Sequence, residues 1–261
     1  MAEILREEER LDELDPLRHL RDNDADAAGN TDEGISDGFI VPAQRPSIIN
    51  QLQILSFPVL VPELRLSVDA SPGCGGIAWP AGEVLSRYIC LRETREPGWM
   101  KTRTVLELGA GTGLVGLVAA KLGAKHVVIT DQTPLLPLIE RNIVLNNVQN
   151  ACIAAEFNWG EPLSEAIRTG AFDLILAADC VYLEPAFPLL VQSLCDLTNE
   201  SPRAELLFCY KKRRKADKRF FVLLKKHFEW EEVDDDPERP VYSRDTISLL
   251  RFRRRGVKAS F

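Results

Sequence analysis

From residue 103 onward, short apolar runs alternate with longer segments whose apolar residues recur at helical spacing. The apolar runs predict strands at 103–109, 125–131, 151–157, 171–179, 204–210, 229–233 and 247–253. The longer segments predict helices at 113–124, 134–147, 185–198 and 216–228, with Gly123 ending the first. Strands that alternate with helices are typical of a parallel α/β sheet, and the nearly continuous run at 171–179 favours a strand buried on both faces. No helix is expected between the last two strands, which predicts that one of them is antiparallel.

Ahead of the sheet, an apolar segment at 51–68 is broken by Pro58 and Pro62, which predicts short strands with edge character. A loop rich in Gly and Pro follows at 70–82. Pro80 favours the start of a helix there. We expect the core of the sheet to start near residue 103.

Residues 1–46 are expected to be an acidic extension, with the folded domain over 47–261. Leucines at helical spacing would allow a short amphipathic helix at 6–20, whereas 21–38 has the hydrophilic composition typical of disorder. Residues 1–40 hold 13 acids and 4 Lys or Arg, while the rest of the chain holds 26 acids and 28 bases. The net charge of −7 therefore belongs to the extension and does not argue against a basic partner.

Composition narrows the class of protein further. A chain of 261 residues that is 45% apolar suits one large domain with extensions, or two small ones. No stretch approaches the ~20 apolar residues of a membrane span, and the charged start is unlike a signal or transit peptide. The six cysteines form no Cys-x-x-Cys pair, and the three histidines are far apart. We expect a cytoplasmic protein that has no disulfide framework and binds neither a metal nor a membrane.

The stretch VLELGAGTGLVG follows a predicted strand and opens a predicted helix, which is the position of a nucleotide-binding loop. Its glycines fit two patterns. Gly111, Gly113 and Gly116 match the dinucleotide fingerprint Gly-x-Gly-x-x-Gly. Glu107 followed by Gly109, Gly111 and Gly113 matches the loop of enzymes that use S-adenosylmethionine (SAM).

Three features favour the SAM pattern. The dinucleotide pattern keeps Gly109 inside a strand, where glycine is unfavourable. The Glu107 carboxylate would repel a pyrophosphate but tolerates a sulfonium. The later sequence supplies an acid and a tyrosine suited to an amine, and nothing placed for hydride transfer. Asp131 ends the next strand, where a carboxylate accepts hydrogen bonds from ribose hydroxyls; an ordinary strand-end cap is the alternative.

ELGAGTGLVG, ITD, NWG and ILAADCVYLEPAF, in this order, resemble the family 16 class I methyltransferases, which modify lysines on proteins. The similarity runs from about Ile77 to the C-terminus. DCVYLEPAFPLL and FCYKKRRKADKRFF are most similar to fungal members that methylate translation elongation factor 1-alpha. The resemblance implies an α/β, Rossmann-like class I methyltransferase fold, with a mostly parallel sheet, a late antiparallel strand and helices on both faces. It also implies SAM as the cofactor and a protein substrate, and we expect a monomer.

The resemblance further implies the residues that bind the donor. Trp159 would lie against the adenine and Asn158 would offer its amide to the polar edge, although relatives often carry an acid at the position of Asn158. Trp79 would cover the donor. For both tryptophans a place in the core is the alternative. The predicted donor-binding residues are Trp79, Glu107, Gly109, Ala110, Gly111, Gly113, Asp131, Asn158, Trp159 and Ala178.

Asp179 and Tyr182 follow the fourth core strand, beside the expected donor, and are predicted to be catalytic. A lysine amine attacks only when neutral, whereas free lysine has a pKa of about 10.4. Burial beside a positive sulfonium would lower that pKa. Asp179 would receive and orient the incoming ammonium, and Tyr182 would hold the amine in line through its ring or hydroxyl. The alternative is that Asp179 caps the next helix and Tyr182 packs in the core.

The run KKRRKADKR at 211–219 carries seven bases and one acid after the fifth strand. It is either a solvated helix face or a docking patch for an acidic protein surface or RNA phosphates, and it has no interleaved aromatics that would favour RNA. The leading hypothesis is a SAM-dependent protein-lysine N-methyltransferase. The alternatives are a SAM-dependent methyltransferase of nucleic acid or small amines, an NAD enzyme, and a catalytically silent binding module.

Overall fold

The structure is a computed structural model that describes residues 48–71 and 74–256. The predicted extension at 1–46 lies outside the described residues, and so does its predicted short helix. The strands of the described part are β1 Gln51–Leu55, β2 Leu64–Val68, β3 Thr104–Leu108, β4 His126–Asp131, β5 Cys152–Glu156, β6 Leu174–Ala178, β7 Glu205–Lys211, β8 Phe228–Glu232 and β9 Ile247–Arg254. Its α-helices are α1 Pro80–Arg95, α2 Leu114–Lys121, α3 Leu136–Leu145, α4 Glu165–Arg168, α5 Phe187–Glu200, α6 Lys218–Leu224 and α7 Arg239–Tyr242.

Seven strands form one sheet in the order β5-β4-β3-β6-β7-β9-β8. The pairs β5–β4, β4–β3, β3–β6 and β6–β7 are parallel, whereas β9 runs antiparallel to both β7 and β8. The predicted α/β fold with a mostly parallel sheet and one late antiparallel strand is therefore confirmed. The chain order reverses between β3 and β6, and ligands of open α/β sheets bind at the carboxyl ends of such strands.

Helices cover both faces of this sheet, and two apolar cores lie beneath them. Helices α1, α2 and α3 enclose one core, and α5 and α6 enclose the other. Strand β6 contributes to both, because Leu174 and Leu176 face the first core while Ile175 and Ala177 face the second. The predicted strand with two buried faces is thus confirmed.

Strands β1 and β2 form a separate antiparallel hairpin, in line with the two proline-broken strands predicted there. The buried Asn142 of α3 fixes the hairpin to the domain. Its Oδ1 accepts a hydrogen bond from the Ser67 amide (2.7 Å), and its Nδ2 donates to the carbonyl oxygens of Ser67 and Thr112 (both 3.0 Å). One amide side chain therefore joins the hairpin to the loop that follows β3.

The structure corrects two predictions near the C-terminus, namely the end of the last long helix and the absence of a helix between the last two strands. Helix α6 ends at Leu224 rather than at Phe228, because Phe228 is fully buried and begins β8. The connection between β8 and β9 contains the short helix α7. A helix of four residues is too short to show a periodic pattern of apolar residues in the sequence. All six cysteines are free thiols. In the part of the chain that the structure describes, no helix has the length and apolar character needed to cross a membrane.

Candidate active site

A cavity of about 360 Å³ opens at the carboxyl ends of the parallel strands, at the reversal point of the sheet. The loops after β3, β4, β5 and β6 line it, together with the segment that precedes α1. Nine of the ten predicted donor-binding residues line this cavity, and so do both predicted catalytic residues. The exception is Gly113, which is not among the lining residues.

The glycine loop after β3 takes a backbone path that only glycine follows without strain. Gly109, Gly111 and Gly113 have φ values of 63°, 58° and 80°, in the left-handed region. A Cβ on Gly109 would lie 2.8 Å from the Trp159 ring, and one on Gly111 would lie 2.4 Å from the Gly75 carbonyl oxygen. Gly113 precedes the first residue of α2 and turns the chain into that helix. Its requirement for glycine is conformational.

Two carboxylates hold this loop from below. Asp131 Oδ2 accepts from the Gly111 amide (2.7 Å) and its Oδ1 from the Gln132 amide (2.7 Å). Burial raises the pKa of Asp131, and these two amides oppose the rise. Glu107 accepts from the amides of Val115 (3.2 Å) and Gly116 (2.8 Å) at the start of α2, and burial raises its pKa to about 8. Glu107 thus joins β3 to α2 beneath the cavity.

Two tryptophans from different segments of the chain form aromatic walls of the cavity. Trp159 lies against Gly109, and Trp79 donates from its indole Nε1 to the Cys74 carbonyl oxygen (2.9 Å) at the entry to α1. Both rings are half-buried and line the cavity, so neither is a core residue alone. The amide of Asn158 donates to the carboxylates of Glu156 (3.1 Å) and Glu161 (3.2 Å). Its predicted contact with adenine stays a prediction. Because Asn158 Nδ2 already donates to these two carboxylates, Oδ1 is the atom that remains to contact the adenine.

Asp179 has a cationic partner. Its Oδ1 accepts from Arg213 Nη1 (2.8 Å) and its Oδ2 from Arg213 Nη2 (2.8 Å), and the Lys211 amide adds a bond to Oδ1 (3.0 Å). The side chains of Asp179 and Arg213 are only 5% and 3% exposed. The Arg213 guanidinium also lies 5.1 Å from the centre of the Trp79 ring. The carboxylate therefore binds the segment after β7 and does not cap the next helix.

Tyr182 is half-buried beside Asp179 and also lines the cavity. Its side chain hydrogen bonds with that of Cys74, and burial, followed by the nearby Cys74 and Cys180 thiols, raises the pKa of its phenol. The ring is therefore a neutral group at physiological pH. Its own carbonyl oxygen accepts from Arg214 Nη2 (2.8 Å), which fixes the loop after β6.

The basic run at 211–219 is not one solvated helix face, contrary to the simpler of its two interpretations. Arg213 and Arg214 are buried, and Arg214 pairs with Asp217 (Nη2 to Oδ1, 3.0 Å). Helix α6 begins only at Lys218. In sequence Arg213 is one base among seven, and the only sign that distinguishes it is its place just beyond a strand that ends at the cavity edge. The docking role of the remaining lysines stays a prediction.

Comparison with known proteins places these features in a family. Residues 61–227 match the family model described as "Lysine methyltransferase". The chain is 40% identical over 247 residues to protein-lysine N-methyltransferase EFM6 of Saccharomyces cerevisiae, covering 85% of this chain and 100% of that protein. It is 39% identical over 183 residues to protein N-lysine methyltransferase METTL21A of Danio rerio (69% and 80% of the two chains) and 38% identical over 175 residues to that of Mus musculus (65% and 76%).

Proposed function

The chain belongs to the lysine methyltransferase family and is a SAM-dependent protein-lysine N-methyltransferase, and we propose that its substrate is translation elongation factor 1-alpha. Because the chain belongs to this family, we interpret the glycine loop as a SAM-binding loop and not as a dinucleotide-binding loop. The substrate proposal rests on the resemblance of DCVYLEPAFPLL and FCYKKRRKADKRFF to the fungal enzymes that modify this factor. These two segments, distant in sequence, meet at the cavity through the contacts of Asp179 with Arg213 and of Tyr182 with Arg214.

The cavity fits the donor in shape and in chemistry. Side chains at Gly109 and Gly111 would close the space between the loop, Trp159 and Gly75. We assign the ribose hydroxyls to Asp131, whose two oxygens each keep a lone pair after accepting from the backbone. We assign Trp159 to contact with the adenine, and Trp79 to covering the bound donor. When bound, SAM supplies a methyl group on a sulfonium, which a neutral amine accepts.

In the proposed arrangement, the acceptor lysine reaches the cavity beside Asp179 and Tyr182. Asp179 Oδ2 accepts from Arg213 alone among the described residues, so one lone pair remains for an N–H of the substrate amine. Tyr182 contributes its ring face, which attracts an amine or ammonium group. Together they orient the amine, and alignment of reacting groups is a large part of the rate of such a step.

The test is transfer of label from methyl-labelled SAM to purified elongation factor 1-alpha, followed by mapping of the labelled residue. We expect label on a lysine. The matched control is the same factor with its lysines chemically acetylated, which removes the nucleophile. A parallel reaction in a cell extract that labels a different protein, with none in elongation factor 1-alpha, would refute the substrate while leaving the family assignment intact.

A further inference from the structure

Trp79, Arg213 and Asp179 lie in contact with one another where they line the cavity. The guanidinium of Arg213 contacts both groups: its carbon lies 5.1 Å from the centre of the Trp79 ring, and its two Nη atoms each donate to one Asp179 carboxylate oxygen at 2.8 Å. The Arg213 Nε is buried and has no hydrogen-bond partner in the described residues. A guanidinium that is bound bidentately by a carboxylate and also contacts an aromatic ring keeps a fixed position.

The charge of Asp179 is therefore already balanced before a lysine arrives. The other titratable groups that face this end are the phenol of Tyr182, the thiols of Cys180 and Cys209 beside Asp179, and the thiol of Cys74 beside Arg213. Burial raises the pKa of all three thiols, so they are neutral at physiological pH. Further titratable groups belong to neighbouring elements: Asp131 at the end of β4, Glu107 in β3, the Arg214–Asp217 pair near Tyr182, and Asp236 near Cys209.

An uncompensated carboxylate at this position would favour the wrong form of the substrate. A carboxylate next to a lysine stabilises its ammonium and raises its pKa, whereas the reaction needs the neutral amine. A bidentate guanidinium spreads and cancels that negative charge while it leaves the second lone pair of Asp179 Oδ2 accessible. The carboxylate then acts as a hydrogen-bond acceptor for an amine and not as the counterion of an ammonium.

We propose that Arg213 is a positioning residue that cancels the charge of Asp179, so that the acceptor end of the cavity takes lysine as its neutral amine. This inference rests on the proposed placement of the lysine beside Asp179 and Tyr182. In proton terms, the lysine enters with three N–H bonds on a cationic nitrogen and loses one proton to solvent. No other bond changes in this step.

The first experiment measures charge preference without any protein substrate. S-Adenosylhomocysteine is neutral at the reacting position, whereas sinefungin carries a primary amine there. Titration calorimetry at neutral pH gives the ratio of their affinities for the wild type, Arg213→Gln, Asp179→Asn and the double variant Asp179→Asn/Arg213→Gln. The relative affinity for sinefungin should rise about tenfold in Arg213→Gln and fall about tenfold in Asp179→Asn, since one unit charge shifts such equilibria by a pK unit or more. The double variant should return to within about twofold of the wild type.

The second experiment is the pH profile of methyl transfer to elongation factor 1-alpha. In Arg213→Gln the rising limb of the rate should move up by about one pH unit, and in the double variant it should move back. Arg213→Lys keeps the positive charge but cannot make the bidentate contact with Asp179. The rising limb of its pH–rate profile should therefore stay at the wild-type pH, while its rate of methyl transfer is lower. If Arg213→Gln does not fold, the double-mutant cycle still provides the comparison of the wild type with Asp179→Asn and with the double variant.

Equal sinefungin preference in all folded variants would overturn the inference, because a purely structural Arg213 changes stability without changing charge selectivity. A double variant that stays as perturbed as either single variant would overturn it too. A wild type that binds neither ligand contradicts the donor site instead, and one that binds both but transfers nothing to elongation factor 1-alpha contradicts the proposed substrate.

Discussion

The carboxylate of Asp131 accepts a hydrogen bond from the amide of Gly111 at 2.7 Å, so the acid at the end of β4 and the glycine loop after β3 form one unit. The left-handed backbone of Gly111 turns that amide toward β4. The same carboxylate is the group assigned to the ribose. Loss of Asp131 should therefore affect both the loop and the donor.

Replacement of Asp131 by Ala should weaken SAM binding by roughly 10- to 150-fold, because it removes hydrogen bonds to a charged acceptor worth about 1.5–3 kcal/mol. Calorimetric titration measures this. Asp234→Ala is the matched control, since Asp234 is exposed and does not line the cavity. Unchanged affinity in Asp131→Ala would remove this residue from the donor site.

Gly111→Ala should destabilise the fold and abolish donor binding. The left-handed φ costs a side chain about 1–2 kcal/mol, and contact with the Gly75 carbonyl oxygen adds an overpacking cost of about 1–3 kcal/mol. Gly256 also has a positive φ, of 81°, but its Cβ would meet none of the described residues within 4 Å. Gly256→Ala should therefore show the conformational cost alone, and thermal unfolding compares the two. Equal melting temperatures for the two variants would contradict the close contact at Gly111.

Much of this site follows from strand order and loop position. The glycine loop, Trp159 and Tyr182 follow strands that a pattern of apolar runs predicts, and Asp131 ends one; parallel strands bring such positions to one edge of the sheet. Arg213 does not follow from the same reasoning. Its partner lies 34 positions away in sequence, and a charge run gives no sign of which base folds inward.

Glu107 should make stability depend on pH. Burial raises its pKa to about 8, well above the 4.5 of an exposed carboxyl, so the folded state holds this proton more tightly than the unfolded state. The stability that this proton contributes is present in full below the pKa of Glu107 in the unfolded chain, and it is lost as the pH rises toward 8. Glu107→Gln cannot lose this proton, so the stability of the variant relative to the wild type should increase by at least about 1 kcal/mol between pH 5 and pH 8.

Denaturant unfolding at several pH values tests this, with Glu140→Gln as the control because Glu140 is an exposed residue of α3. A stability difference between Glu107→Gln and the wild type that does not change with pH would show that the buried carboxyl stays ionised.

A chain that begins at Ser47 should fold and bind SAM as the full chain does. The described part of the chain already contains the hairpin, the sheet and every residue assigned to the donor. The composition of 1–46 offers few apolar residues for a core. Thermal unfolding and SAM titration of the two chains provide the comparison, and aggregation of the shorter chain would place the domain boundary earlier.

Tyr182 should matter to methyl transfer more than to donor binding, because it lies after β6, beside Asp179, at the proposed acceptor end. Tyr182→Phe keeps the ring and removes the hydroxyl that bonds with Cys74, whereas Tyr182→Ala removes both. If the ring holds the amine, the Phe variant should keep most of its activity and the Ala variant should lose transfer on the order of 100-fold through misalignment. If the hydroxyl orients the amine, both should lose it. Cys74→Ser is the matched control, since it keeps both the ring and a hydrogen-bonding partner for the hydroxyl and should transfer methyl groups in either case. Transfer of labelled methyl groups, run beside a SAM titration, gives turnover and affinity separately. Full transfer by Tyr182→Ala at wild-type SAM affinity would exclude Tyr182 from the acceptor step.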